Sequence, residues 1–113
     1  MPIYEITEEN YDDMVAKSEK PVLLEFGAEY CAPCRALASV MKRIAGERED
    51  IMVGAVDVEN SPRVAAKLKV MNLPTVIALS GGKVTGRVSG KITYENVQNL
   101  IGMAIMKPLF TER

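Results

Sequence analysis

Histidine is absent from all 113 residues. Cys–His nucleophilic catalysis and His-ligated metal sites are therefore excluded together. Charge of one sign is also missing: 14 basic residues stand against 15 acidic ones, a formal net charge of −1. No strong pull toward nucleic acid or an anionic membrane is expected from that balance. No apolar run reaches membrane-spanning length. The opening Met1-Pro2-Ile3-Tyr4-Glu5 lacks the basic and apolar regions of a signal peptide, so a cytoplasmic location is expected. Cysteine is reduced to Cys31 and Cys34. In a reducing compartment such a pair serves catalysis or metal binding more readily than it serves as a structural staple.

What is present suffices for a folded protein. Hydrophobic residues make up 48% and charged residues 26% of the chain, enough for a core and against wholesale disorder. The length fits one domain over residues 1–113. Ile3–Ile6 reads as a short first strand. Thr7 is placed as an N-cap, with Tyr11, Met14 and Val15 at helical spacing and Pro21 ending the unit. Val22–Phe26 is nearly continuous apolar sequence, as in a strand buried on both faces, interrupted by Glu25. Leu37, Val40, Met41, Ile44 and Ala45 form one stripe of an amphipathic helix. Ile51–Val58 is the next strand, and Ser61-Pro62 the next helix start, as N-cap and first-turn proline.

Val76–Leu79 and Val84–Ser89 form a pair of strands about the Ser80-Gly81-Gly82-Lys83 turn, with Val84, Gly86 and Val88 expected on one face. The second of these is expected at the sheet edge. Thr93 caps a last helix whose Val97, Leu100, Ile101, Ala104 and Ile105 face the core, and Pro108 ends it. The order is β-α-β-α-β-α-β-β-α: an α/β fold with a mixed sheet between helices.

The two cysteines fall where a buried strand ends and a helix begins. Pro33 suits that first turn, where its missing N–H costs nothing. Free N–H groups and the dipole at a helix start stabilise a thiolate, which makes Cys31 the nucleophile. The i, i+3 spacing brings Cys34 onto the same face as the resolving thiol. Two other readings stand beside this one. A zinc site needs four ligands and would have to be shared across a dimer; alternatively, both cysteines are inert and buried. Glu25 also has two readings. Buried without a partner, its pKa rises and it becomes a proton acceptor for Cys34; at the sheet rim, it is merely solvated.

Several segments together resemble the thioredoxin family. Glu25-Phe26-Gly27-Ala28-Glu29-Tyr30-Cys31-Ala32-Pro33-Cys34 is similar to the family's active-site segment, and Val56-Asp57-Val58-Glu59-Asn60-Ser61-Pro62 to its third strand and turn. Leu73-Pro74-Thr75 resembles its cis-proline element, 40 residues beyond Cys34. Gly81-Gly82 resembles its hairpin, and Gly90 the glycine beside the active site. The resemblance implies a thioredoxin-like fold, a central five-stranded mixed sheet flanked by four helices. It implies a thiol–disulfide oxidoreductase that reduces protein disulfides through a reversible Cys31–Cys34 disulfide, with no bound cofactor or metal.

It further implies that Pro74 is cis and that the Leu73 backbone pairs with an extended substrate. Tyr30, Ala32, Pro33, Leu73 and Gly90 would then form an apolar patch around Cys31. Partners implied are disulfide-bearing client proteins and a thioredoxin reductase or equivalent electron donor, with the protein a monomer. The sequence departs from the family at six places. Ala32 replaces the usual glycine, Gly27 and Tyr30 replace two tryptophans, and Glu25 replaces a buried aspartate. Ala55 stands where a lysine usually neighbours that aspartate, and Ser39 where a helix-kinking proline is common. An isomerase or oxidant of higher potential, and a redox-inactive binding module, are the rival functions.

Overall fold

Alternation along the central strand decides the layering. The computed structural model describes residues 2–106. In β2 (Val22–Gly27), Val22, Leu24 and Phe26 pack on one face of the sheet, and Leu23 packs on the other. Successive side chains of a strand point to opposite faces, so Glu25 shares the face of Leu23. Both faces are covered, which is why this strand is apolar nearly throughout. Helices α1 (Ala32–Glu47) and α3 (Tyr94–Ile105) lie over the Leu23 face through Leu37, Met41, Ile44, Val97, Leu100 and Ile101. A five-residue π-helix (Asp12–Ala16) and α2 (Pro62–Lys67) cover the other face through Tyr11, Val15, Val64 and Leu68.

The sheet has five strands in the order β1-β3-β2-β4-β5. β1 (Tyr4–Glu5) and β3 (Met52–Asp57) run parallel to each other, and β2 runs parallel to β3. β4 (Thr75–Ser80) and β5 (Lys83–Ser89) run antiparallel, joined by a two-residue turn. Gly81 and Gly82 both have positive φ, 60° and 80°, the conformation a tight hairpin requires at its two central positions. With the four helices, this is the expected mixed five-stranded α/β architecture, and β5 is an edge strand as expected.

Four local expectations are corrected. First, Val84, Gly86 and Val88 do not share a face. Leu79 pairs with Val84 while its neighbour Ala78 pairs with Gly86, so Thr85 is an extra residue. A bulge resets the alternation. Val84 packs with Ile77 and Leu79, whereas Val88 packs on the Leu100 side. Second, Ile105 is 49% exposed. At 3.6 residues per turn it lies about a quarter-turn from the stripe of Val97, Leu100, Ile101 and Ala104.

Third, the Ser61 side chain caps nothing. The turn into α2 is made instead by Asp57, whose carboxylate accepts the backbone N–H groups of Glu59 at 2.9 Å and Asn60 at 3.4 Å. Fourth, Thr7 caps not the helix but the turn before it. Its N–H donates to Asn10 Oδ1 at 2.7 Å and its hydroxyl accepts the Asn10 N–H at 3.4 Å. The π-helix then starts at Asp12, with Lys17 N–H reaching the Asp12 carbonyl at 2.9 Å. Thr93 caps α3 as expected, in a reciprocal pair with Asn96. Pro108 lies outside the described residues.

Candidate active site

The end of β2 and the start of α1 bring the two cysteines together. Cys31 is the N-cap of α1, with extended backbone, and Pro33 lies in the first turn. The Cys34 N–H donates to the Cys31 carbonyl at 3.2 Å and to the Cys31 sulfur at 3.3 Å. The residues are joined as a disulfide, with 5.3 Å between their Cα atoms. No acidic side chain sits in the first turn of α1. Nothing in that turn therefore opposes a negative sulfur at the N-cap, where the orphan N–H groups and the helix dipole favour one. Exposure does not distinguish the pair, at 8% for Cys31 and 6% for Cys34. Helix position does, because among the described residues only Cys31 receives an N–H on its sulfur.

Gly27 forms the floor under Cys34. A Cβ there would lie 3.2 Å from both Cβ and Sγ of Cys34, closer than most side chains tolerate. Two residues earlier, on the same face, Glu25 is 9% exposed and makes no hydrogen bond or ion pair among the described residues. Burial alone pushes its pKa up to about 7. Across the sheet its register partners are Ala55 on β3 and Val76 on β4, and neither offers a charge. Glu25 is therefore largely withdrawn from solvent and meets water through the recess beside it. A recess of about 190 Å³, open to solvent, runs past Glu25, Gly27, Glu29, Ala55 and Asp57.

On the other side of the cysteines the Leu73–Pro74 peptide is cis. The Pro74 carbonyl accepts the N–H of Gly90 at 3.0 Å. The Thr75 hydroxyl holds the preceding turn through the Asn72 carbonyl at 2.6 Å. Pro33, Pro74 and Gly90 meet in a groove of about 300 Å³ that continues along α1 past Ala36, Leu37 and Val40. Ala32, Pro33 and Gly90 are exposed, Leu73 is half-buried and Tyr30 is 71% exposed. Of the expected patch, Tyr30, Ala32 and Leu73 do not line this groove. Ala36 and Val40 do line it and were missed as site residues; Val40 had the spacing of a core residue, and only the approach of the Pro74 loop marks it. Met71, 86% exposed just before the cis peptide, carries no sequence signal either. Among the described residues no group of three or more His, Cys, Asp or Glu could hold a metal ion.

Gly90 has φ +87° and open space around its α-carbon. Conformation rather than crowding therefore demands glycine there. Gly90→Ala is expected to cost upwards of about 1 kcal/mol, measured by urea melts. A neutral result would mean that the loop can relax.

Residues 2–103 match the family model described as thioredoxin. The chain belongs to the thioredoxin family. It is 36% identical over 85 residues to the thioredoxin of Streptomyces clavuligerus, covering 75% of this chain and 79% of that protein. It is 33% identical over 95 residues to thioredoxin 1 of Chlorobaculum tepidum, covering 83% and 94%. It is also 37% identical over 87 residues to the bifunctional thioredoxin reductase/thioredoxin of Mycobacterium leprae, covering 76% of this chain but 19% of that longer protein. With the paired cysteines at a strand–helix junction, the relationship makes this a thioredoxin-type protein-disulfide oxidoreductase. Its redox centre is the Cys31–Cys34 disulfide itself, with no separate cofactor.

The family's usual glycine between the cysteines is Ala32 here, the first residue of α1. Alanine favours a helix over glycine by up to about 1 kcal/mol, which bounds what the substitution can change. Ala32→Gly is therefore expected to shift the reduction potential by under about 30 mV, equivalent to about 1.4 kcal/mol for two electrons. A much larger shift in a glutathione titration would give Ala32 a role beyond helix propensity.

Proposed function

We propose that this thioredoxin acts as a net reductant of client proteins, with Cys31 attacking and Cys34 resolving. The N-cap position of Cys31, with the Cys34 N–H on its sulfur, carries the reading. The Cys31 thiolate attacks one sulfur of a client disulfide, forming a mixed disulfide and expelling the other as a thiolate that takes up a proton. Cys34 then loses its proton and attacks Cys31. The Cys31–Cys34 bond forms, the mixed disulfide breaks and the second client thiol leaves. Two electrons and two protons pass to the client.

Glu25 serves the second step. Two residues of strand rise at about 3.3 Å each separate it from the position under Cys34, so its role is to take the proton by way of water in the open recess. A thiol near ~8.5 giving up its proton to a carboxylate near 7 is uphill by about 2 kcal/mol. For an ordinary glutamate near ~4.3 the same transfer is uphill by nearly 6 kcal/mol. Clients bind as extended segments beside Leu73, whose backbone makes no hydrogen bond among the described residues. Tyr30, Ala32, Pro33, Pro74 and Gly90 give them an apolar surface.

A separate thioredoxin reductase regenerates the dithiol; the M. leprae relative, whose name joins both activities, supports that pairing. The protein works as a single domain over residues 1–113, as a monomer in the cytoplasm, bound to neither membrane nor nucleic acid. No described helix is long and apolar enough to cross a membrane. Equilibration with glutathione tests the direction of electron flow. A potential at or below about −230 mV supports a reductant, and one above about −180 mV, in the range of isomerases, overturns it. Insulin reduction with dithiothreitol tests for activity at all.

A further inference from the structure

The recess beside Glu25 has a property that disulfide exchange does not use. Three acidic residues line it. Glu25, the innermost, is nine-tenths buried and has no hydrogen bond or ion pair among the described residues. Beside it on β3 stands its register partner Ala55, which offers no charge. Other charged groups stand only at the rim. Asp57 on β3 accepts the N–H groups of Glu59 and Asn60 with its carboxylate. Glu29 is exposed on the loop before Cys31. Arg35 on α1 is bonded by its guanidinium to the Glu29 carbonyl at 2.8 Å and does not offset the burial of Glu25. On β4 its register partner is Val76, and α1 lies over the same face of the sheet with no acidic residue in its first turn.

At about 190 Å³ the space exceeds several waters of about 30 Å³ each. The donors are too few for metal coordination among the described residues. A compact organic cation, by contrast, needs one carboxylate to face it and acidic groups around it. We infer that the Glu25 recess is a binding site for an ammonium or guanidinium group, which completes the ion pair that this buried carboxylate lacks among the described residues.

The inference does not depend on Glu25 accepting a proton from Cys34. Binding requires the ionised carboxylate, so by linkage the bound cation draws the Glu25 titration downward. The group comes either from a free small amine or from a Lys or Arg side chain of a docked protein, and the two sources are separable.

The test uses the oxidised protein, in which no thiol titrates. Methylammonium, methylguanidinium and Nα-acetyl-lysine N-methylamide are added at constant ionic strength, with tetramethylammonium as a cation that has no N–H to donate. The Glu25 carboxyl carbon and the Gly27 and Ala55 amides are followed by NMR. Expected are saturable shifts at Gly27 and Ala55 at pH 8, and a Glu25 midpoint lowered by about one pH unit at saturation. Both responses should vanish with Ala55→Met, which fills the recess, and the amide shifts should vanish with Glu25→Gln, which removes the charge. Tighter binding of the lysine derivative assigns the site to a protein side chain; equal or tighter binding of methylammonium assigns it to a free amine. Shifts that never saturate, that tetramethylammonium reproduces, or that survive in Glu25→Gln overturn the inference.

Discussion

Cys34→Ser is expected to turn the protein from a turnover catalyst into a trap. The substitution leaves Cys31 at the N-cap of α1 with the residue-34 N–H still available to its sulfur, so attack on a client disulfide proceeds. The resolving step does not, because a serine hydroxyl supplies no thiolate. Mixed disulfides on Cys31 should accumulate, and insulin reduction should fall to the uncatalysed background. Cys31→Ser should also abolish turnover but trap nothing, because Cys34 lies within the first turn against Gly27, without an N-cap position of its own. Mass spectrometry of non-reduced samples after mixing with clients distinguishes the two. If Cys31→Ser is the variant that traps, attacker and resolver have been exchanged.

Glu25→Gln is expected to move stability and rate in opposite directions. The folded-state pKa of Glu25 is raised by burial from 4.5 to about 7, the reverse of a salt-bridged carboxylate. The neutral form is the one that suits the fold. Its contribution is fully present below the unfolded pKa and fades as pH rises through about 7, after which an unpaired charge is buried. At about 1.36 kcal/mol per pH unit, the penalty by pH 8 approaches about 3 kcal/mol. Glutamine never carries that charge. The oxidised variant should match the parent near pH 4 and exceed it increasingly between pH 5 and 8 in urea melts.

The same change removes the proposed proton acceptor for Cys34. Release of the mixed disulfide should slow on the order of a hundredfold, the lower end of what a positioned base contributes. The parent's release step should also rise with pH around 7, a dependence the variant lacks. Unchanged melts and unchanged rates would place Glu25 in water and remove it from the mechanism.

The cysteine pair was legible because its chemistry is local. An apolar strand, a short loop, Cys31-Ala32-Pro33-Cys34 and an amphipathic stripe are contiguous in sequence, and the helix start that activates Cys31 lies in the same ten residues. The α/β order was legible for a related reason: strand and helix periods show in runs of five or six residues. The Thr85 bulge was not legible. Its Thr-Gly pair looks like ordinary edge-strand sequence, and only pairing with Ala78 and Leu79 reveals the extra residue. Ile105 failed for want of an angle, not of hydrophobicity.

Glu25 marks the boundary between the two kinds of information. From sequence alone, one acid in an apolar strand was compatible with a solvated rim or a buried base, because burial depends on what other strands and helices place around a residue. The neighbours that decide it are Ala55 and Val76, some thirty and fifty positions away, and the helix laid over them. The Pro33–Pro74–Gly90 groove is likewise assembled from three separate segments. Sequence by itself determined the reactive pair, its helix start, the order of elements and the family. Tertiary structure alone decided which acid is stranded without a partner, where the recess opens beside it and which face of α1 a client can reach, because charge, burial and access are set by contacts between residues far apart in the chain.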